Sequence, residues 1–511
     1  MKKIIYIPLL ILFVISPLLA QTEKDYEIKK EIADKDEFKF IGYYFVRSEI
    51  SNTYPTNEFL KGQVVGRLFG GNSTQTGQQS RFTEQRFIPI IAYSPRLFDG
   101  YATMRMSFEF DWTWGDANYG AGGNFGGAFG ADFVNMQTQN LFIEFRPQKN
   151  FFLNVGLTRL FDNIRVPAYT FTEDLVHTGY RLALFGSDAT GAAAHYLLDD
   201  MRFKAGVYQL YENNVNENDD VGLFEFDFEY DLDIKNSIGL SLYYLKDHGN
   251  GEGGVSILGQ GLNSGLSNYN GVFNFDFGNE DYIANVLWLG THFHGDPTLK
   301  QGRFGYGGFA FANLGTAETA TQKVDILGFG ANLRLAYKYG RNRNDFVALD
   351  GTFTTGDKQN IRDGKYNGVL TGNNWTAPGA VFFSHGLYLL LPHGNVVNRF
   401  NAAVIDIQNV GYGLAAASLV GSYDIIPNKL KAKTGLGMGI ATVSPTDGGS
   451  TIGTEINFNL LYKLKVFMDL ELHAAYLSLG DFYDSKVVNG NSLTRPENPW
   501  VFFASLKWIM F

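Results

Sequence analysis

Residues 102–114 alternate between apolar and polar side chains without interruption. The apolar positions are Ala102, Met104, Met106, Phe108, Phe110, Trp112 and Trp114, and the polar positions are Thr103, Arg105, Ser107, Glu109, Asp111 and Thr113. Successive side chains of an extended chain leave opposite faces, so a period of two indicates a β-strand. The segment therefore predicts a strand with one apolar face, one charged face and two tryptophans at one end.

The same alternation recurs from residue 38 to the end of the sequence. We predict about 18 strands, with 16 as the lower bound, at 38–48, 80–94, 101–114, 134–146, 151–160, 191–198, 201–212, 221–231, 236–246, 270–277, 282–293, 326–338, 345–355, 410–424, 429–442, 452–464, 466–479 and 499–511. A further hairpin at 305–314 is an open alternative. An even number of strands returns both ends of the sheet to the same side, as in bacterial transmembrane barrels.

Short and long connections alternate between these predicted strands. The short ones lie near 95–100, 147–150, 199–200, 232–235, 278–281, 339–344, 425–428 and 465, and the long ones near 49–79, 115–133, 161–190, 247–269, 294–325, 356–409 and 481–498. Outer-membrane barrels combine short periplasmic turns with long extracellular loops. The pattern therefore predicts an all-β fold, a transmembrane antiparallel up-and-down β-barrel with its apolar face towards lipid, rather than a soluble sandwich.

The N-terminus has the pattern of an export signal. Lys2 and Lys3 precede an apolar stretch from Ile4 to Ile15, and Ala20 ends a short segment of small and apolar residues. This arrangement is typical of a secretory signal peptide. We predict a signal peptide at 1–20, a short periplasmic leader at 21–37 and a transmembrane barrel channel at 38–511, in the outer membrane of a Gram-negative cell.

Composition narrows the function classes further. The chain has no cysteine, which excludes disulfides and thiolate chemistry, and its formal charge is −10. Removal of Lys2 and Lys3 with the signal peptide makes that charge −12, which argues against nucleic-acid binding. Mean hydropathy is −0.11, a value expected when only alternate residues of a barrel face lipid. The sequence contains no recognisable catalytic motif, so we predict no enzyme activity, no catalytic residue, no metal and no cofactor.

The charged face of the predicted strands defines the expected lining of a pore. A barrel of 16–18 strands is wide enough for an aqueous channel. The predicted lining residues are Arg105, Glu109, Asp111, Arg202, Lys204, Glu225, Asp227, Glu229, Arg334, Lys338, Lys431, Lys433, Glu455, Asp469 and Glu471. Hairpin pairing predicts that Arg202 and Lys204 lie near Glu229 and Asp231, and that Lys463 lies near Asp469 and Glu471.

A loop that folds into the barrel would set the selectivity of such a channel. The first candidate is 161–190, with the predicted constriction residues Arg165, Glu173, Asp174, His177, Arg181 and Asp188. An ordinary exposed loop is the alternative for this segment. The second candidate is 356–409, because its stretch 384–397 (SHGLYLLLPHGNVV) is too apolar to extend into water. We expect this stretch to pack against the lumen, as a plug, or against a neighbour.

Three short stretches carry a resemblance to a known family. They are FTEQRF at 82–87, FEFDWTWGD at 108–116 and FGSDATGA at 185–192. These stretches resemble the alginate-export-like channels, which are large bacterial outer-membrane porins. The resemblance implies a single-chain barrel of 18 strands that conducts a hydrophilic solute. The final stretch WVFFASLKWIMF, which ends at Phe511, resembles the C-terminal signal that the barrel-assembly machinery reads.

We therefore predict an outer-membrane channel for passive or facilitated diffusion of small hydrophilic solutes or of an oligo- or polysaccharide. Its predicted partners are outer-membrane lipid, the solute and the barrel-assembly machinery, with a homotrimer as an open arrangement and no nucleic acid. Two alternatives stay open. One is a barrel-embedded surface-binding protein or enzyme without an open pore, and the other is a transporter of hydrophobic solutes, which the charged inner face argues against.

Overall fold

The structure is a computed structural model of the full chain. It describes residues 37–55, 66–69, 72–74, 77, 79–114, 135–159, 188–211, 220–249, 275, 277–297, 299–358, 361–370, 387–391, 401–404, 407–489 and 494–510. The predicted signal peptide and all but the last residue of the predicted leader lie outside this described part. Both assignments therefore stay predictions.

Eighteen long strands follow one another in chain order within the described residues. They are β1 (Phe38–Ser51), β2 (Ser80–Tyr93), β3 (Ala102–Trp114), β4 (Asn135–Gln148), β5 (Phe151–Arg159), β6 (Asp188–Leu197), β7 (Met201–Tyr211), β8 (Val221–Asp231), β9 (Asn236–Asp247), β10 (Ile283–Gly295), β11 (Phe304–Glu318), β12 (Lys323–Lys338), β13 (Phe346–Thr354), β14 (Leu414–Ile426), β15 (Leu430–Ile440), β16 (Thr451–Lys465), β17 (Met468–Leu479) and β18 (Trp500–Met510). Each pairs antiparallel with the strand before it and the strand after it.

The sheet closes into a barrel because β18 also pairs with β1. Their register runs without interruption from Gly42 opposite Met510 to Ser51 opposite Val501. The two-residue strand Lys365–Tyr366 adds a short parallel pairing beside Asp325 and Ile326 of β12. A closed ring leaves no strand edge unpaired, which is the condition for a β-structure in a bilayer. The predicted fold class and strand number are confirmed.

The two rims of the barrel differ in the length of their connections. One rim carries the connections 94–101, 149–150, 198–200, 232–235, 296–303, 339–345, 427–429 and 466–467. The opposite rim carries 52–79, 115–134, 160–187, 212–220, 248–282, 319–322, 355–413, 441–450 and 480–499. The first rim is the short-turn rim expected on the periplasmic side, and the second is the long-loop rim.

The alternation of side chains separates an apolar outer face from a polar inner face. On β8, Phe224 and Phe226 are 46% and 45% exposed, whereas Glu225 and Asp227 are 4% and 2% exposed. The same alternation holds on β12 and β15, with the faces assigned as predicted. A side chain that leaves a barrel outward contacts the medium around it, so exposed aromatic and aliphatic residues there indicate a lipid-facing surface.

One predicted strand is wrong and one real strand is missing from the prediction. In 270–277, the described residues Phe275 and Phe277 are not in a strand, and both are buried. Phe275 packs edge-on against Tyr366, with the ring centroids 5.2 Å apart. The strand that takes its place is β11, which includes the hairpin alternative at 305–314. Two predicted connections change accordingly, since 278–281 belongs to a long loop and 294–325 contains a whole strand.

Within the described residues, no helix is long and apolar enough to cross a membrane.

Candidate functional site

The inner wall at β7–β9 contains a buried network of acids, a lysine and tyrosines. Lys204 forms an ion pair with Glu225. Tyr208 donates from its hydroxyl to Glu225 Oε2 at 2.8 Å, and Tyr243 donates to Asp227 Oδ1 at 3.1 Å. All five side chains are nearly inaccessible. Because buried charges are stable only when they are paired and hydrogen-bonded, this network fixes the wall geometry here.

A second network lies nearer the short-turn rim on the same strands. Arg202 binds Glu229 at 3.2 Å and Asp231 at 2.6 Å. His292 Nε2 of β10 lies 3.2 Å from the other oxygen of Glu229. The predicted placement of Arg202 is therefore confirmed. For Lys204 the predicted partners, Glu229 and Asp231, are wrong. Lys204 stands opposite Asp227 in the strand register, and its amine forms an ion pair with the next inward acid of β8, Glu225.

Arginine–glutamate pairs cover the inner wall at β1–β4. The pairs are Arg47 with Glu84 at 2.7 Å, Arg86 with Glu109 at 2.7 Å and Arg105 with Glu144 at 3.0 Å. Arg105 and Glu109 were predicted lining residues, whereas the other four were not. Their signal was available in the sequence, because Arg47, Glu84 and Arg86 occupy the polar positions of alternating strands.

The wall from β12 to β18 contains many of the basic lining residues. Arg334 lies 3.6 Å from Asp350, and Lys338 donates to the carbonyl oxygen of Leu299 at 3.3 Å. Lys463 stands directly opposite Asp469 in the β16–β17 ladder, as predicted. The other predicted lining residues of this wall, Lys431, Lys433, Glu455 and Glu471, share the inner faces of β15, β16 and β17.

The wall from β12 to β18 also contains buried polar atoms. The hydroxyls of Ser418 and Ser422 and the Nε atom of Arg334 are buried and have no hydrogen-bond partner in the described structure. In strand register, Ser418 lies opposite Asp350 and Ser422 lies opposite Lys433. Polar groups in such surroundings are normally satisfied by water, so this wall is suited to contact with an aqueous lumen.

The predicted constriction residues Arg165, Glu173, Asp174, His177 and Arg181 lie outside the described residues. Asp188 begins β6, and its side chain is outside the described part, as is the side chain of Asp111 in β3. The constriction assigned to 161–190 therefore stays a prediction.

A segment of the β13–β14 connection lies inside the barrel. Residues 387–391, which we call the lumen segment, are almost completely buried. The Glu455 carboxylate accepts three consecutive backbone N–H groups from it, those of Tyr388 at 2.8 Å, Leu389 at 2.8 Å and Leu390 at 2.6 Å. Glu455 belongs to the inner face of β16, so these bonds place the lumen segment against the wall from the inside.

The packing of the lumen segment extends over four strands. Leu387 lies over Gly437 of β15. The ring of Tyr388 lies 5.1 Å from that of His473 on β17 and 5.7 Å from that of Phe503 on β18. Of the two arrangements expected for 384–397, its described residues 387–391 adopt packing on the inner wall of the barrel.

A second part of the same connection covers the wall at β10–β12. Trp288 donates from its indole N–H to the carbonyl oxygen of Leu370 at 2.9 Å. The backbone N–H of Leu370 donates to Asn313 Oδ1 at 3.1 Å. Trp288 and Asn313 are both fully buried. The β13–β14 connection thus lines the inner wall near the long-loop rim at two separate places.

The described residues contain no cluster of three or more histidine, cysteine, aspartate or glutamate side chains that could hold a metal ion. The described inner wall combines ion pairs, hydroxyls and amides with the apolar cluster that includes Trp288 and Leu389.

No protein family model matches the chain, and a search of curated proteins gave no match. The solved structures that match include OccK11 (OpdR) of Pseudomonas aeruginosa, at 12% identity and a TM-score of 0.46, over 94% of this chain and 99% of that chain. OccAB1 of Acinetobacter baumannii matches at 11% identity and a TM-score of 0.49, over 92% and 97%. A BenF-like porin from Pseudomonas fluorescens Pf-5 matches at 11% identity and a TM-score of 0.48, over 92% and 99%. None of the three is described as an alginate exporter.

Proposed function

We propose that this protein is an outer-membrane channel for passive or facilitated diffusion of small hydrophilic solutes. The observation that carries the proposal is the division of its faces. Aromatic and aliphatic side chains form the exposed outer surface of a closed barrel of 18 strands, and the charged side chains of the strands lie mostly on its inner wall. Such a barrel is wide enough for an aqueous channel when its lumen is polar.

The inner wall supports diffusion of solutes that carry charge or hydrogen-bonding groups. Glu225, Asp227 and Glu229 lie on the inner face of β8, while the basic residues Arg334, Lys431 and Lys433 lie on β12 and β15. Opposed charges around a narrow passage orient polar solutes and sort ions by sign. We place Arg165, Glu173, Asp174, His177, Arg181 and Asp188 as further constriction candidates, and we propose no enzyme activity.

Conductance in a planar lipid bilayer tests the channel directly. The purified protein is expected to give stepwise current increments and to admit small sugars in a liposome swelling assay. Absence of both would refute the proposal. For the constriction, Arg165→Ala with Arg181→Ala is expected to shift the reversal potential towards cation selectivity, and an unchanged potential would remove that assignment.

A barrel without an open pore is the second candidate function, as a surface-binding protein or a barrel-embedded enzyme. It is favoured by the apolar cluster inside the barrel, in which Leu387, Leu389 and Leu390 are fully buried together with Trp288 and Tyr366. A folded protein that carries no current and admits no solute would support this alternative.

Assembly through the C-terminal strand and a homotrimeric state are also parts of the proposal. The aromatic strand β18 completes the ring, so truncation of this strand is expected to abolish insertion by the barrel-assembly machinery. Crosslinking of the protein in outer-membrane fractions would show whether the assembly has three copies.

A further inference from the structure

We infer that Glu455 is the positioning residue of the channel constriction, because it holds the lumen segment inside the barrel. The inference rests on the proposed channel function and identifies which loop narrows the lumen and what keeps it there. It concerns a described part of the wall and is independent of the residues in 161–190.

The contacts of Glu455 use both oxygens of its carboxyl group as hydrogen-bond acceptors. Its Oε2 atom accepts the backbone N–H groups of Leu389 and Leu390, and its Oε1 atom accepts the N–H of Tyr388 and the side-chain amide of Asn457 at 2.8 Å. Two carboxylate oxygens can accept four such bonds, whereas a glutamine has one acceptor oxygen and an NH₂ group that only donates.

The wall beside Glu455 is shaped for the lumen segment. A Cβ atom at Gly437 would lie 2.6 Å from Leu387 Cδ1, and one at Gly439 would lie 3.3 Å from Leu390 Cδ1. Both glycines are on the inner face of β15, next to β16 in the ring. The leucines therefore occupy space that any larger residue at these positions would fill.

The lumen segment adds thickness to the wall on the inside. Ala403 donates its backbone N–H to the carbonyl oxygen of Leu389 at 2.7 Å, and Val404 donates to that of Leu390 at 3.0 Å. Residues 403–404 thus form a further layer on the lumen segment. Two layers of chain that project inward from β15–β18 reduce the cross-section open to solute, and the bonds to Glu455 hold the first of these layers against the wall.

The test compares single-channel currents of the wild-type protein, Glu455→Gln and Glu318→Gln in planar bilayers. Glu318 is a matched control, because it is an exposed carboxylate at the long-loop rim that pairs with Lys323. We expect Glu455→Gln to raise the conductance by about twofold, because ion flow scales with the open cross-section, and to admit larger sugars into liposomes. Glu318→Gln is expected to match the wild type.

A disulfide distinguishes release of the segment from general damage to the barrel. The chain has no cysteine, so Leu387→Cys with Gly437→Cys introduces a single pair at positions in direct contact. In the Glu455→Gln background, the oxidised pair is expected to restore the wild-type conductance, and a reductant is expected to raise it again. Gly437→Val, which displaces Leu387 from the other side, is expected to raise the conductance with Glu455 intact.

The outcomes separate this inference from the channel proposal. If the wild-type protein conducts and Glu455→Gln conducts no more than it does, the inference is wrong and the channel stands. If the conductance rises but the oxidised disulfide leaves it high, Glu455 acts on the barrel as a whole and the inference is also wrong. If none of the folded proteins conducts, the channel proposal fails.

Discussion

Replacement of Phe226 by arginine tests whether the aromatic rows face hydrocarbon. Phe226 is the central residue of β8 and is 45% exposed on the outer face, between Ala205 of β7 and Leu242 of β9. If lipid surrounds this face, Phe226→Arg puts a guanidinium into the apolar layer. If water surrounds it, the same change only exchanges one exposed side chain for another.

The depth of Phe226 in the membrane sets the expected loss of stability. Half of β8, at a rise of about 3.4 Å per residue and a tilt of about 40°, spans about 13 Å along the membrane normal, which is about half of the ~25 Å apolar band of such barrels. Phe226 therefore lies near the midplane. An arginine there is expected to lower the free energy of unfolding by about 2–4 kcal/mol. Leu232→Arg, in the turn that follows β8, is expected to cost only about 0–1 kcal/mol.

The assay is urea-induced unfolding of the barrel in phospholipid vesicles, followed by tryptophan fluorescence and extrapolated linearly to water. Leu232 is 61% exposed, so Leu232→Arg controls for the new charge, and Phe226→Ala controls for the lost aromatic ring. The reasoning is refuted if Phe226→Arg destabilises the protein no more than Leu232→Arg does. That result would place the apolar face outside a membrane.

Three further predictions concern the inner wall. Lys204→Met is expected to lower the free energy of unfolding by about 3–5 kcal/mol in the same assay, because it leaves buried acids without a compensating charge. Adding Glu225→Gln to this variant should recover part of the lost stability, and strictly additive effects of the two substitutions would contradict the prediction. Gly191→Ala is expected to lower the free energy of unfolding by about 1–3 kcal/mol, because the new Cβ would overlap the carbonyl oxygen of Val207 in the next strand. A variant as stable as the wild type would show that β6 and β7 can move apart to accommodate the methyl group. Lys433→Gln is expected to move the reversal potential of the channel towards cation selectivity, and a potential equal to that of the wild type would show that this lysine does not face the ion path.

The faces of the barrel could be predicted from sequence because lipid and lumen impose opposite demands on alternate residues. The β11 strand departs from that rule. Its inner positions include Phe309 and Phe311, which are buried inside the barrel, whereas Ala310 and Ala312 point outward. With the bulky residues inside and the small ones outside, the apolar pattern no longer marks a lipid face. Strand pairing with β10 and β12, rather than the outward side chains, defines this strand.

The opposite error at 270–277 has a related cause. Phe275 and Phe277 alternate with polar residues as a lipid-facing strand would, but their rings are buried beside Tyr366 and Tyr282. An aromatic side chain serves a packed loop inside the barrel as well as a lipid-facing surface, and a single sequence does not distinguish these environments. The strand number was right because one false strand replaced one missed strand.

The candidate site was predictable only in part, for a similar reason. Alternation identifies which charges point inward, and hairpin order placed Arg202 beside Glu229 and Asp231. The contact between Glu455 and the lumen segment joins residues 65 to 67 positions apart. No local pattern specifies that contact, because it depends on how a long loop returns into the closed barrel.

The pairing of β18 with β1 has a consequence for how the chain must be made. These strands are more than 400 positions apart, so the edges of the sheet have no partner in this chain until almost all of it has been synthesised. An open sheet with two unpaired edges is prone to join other chains. Copies of the chain must therefore be kept apart from one another until β18 has joined β1.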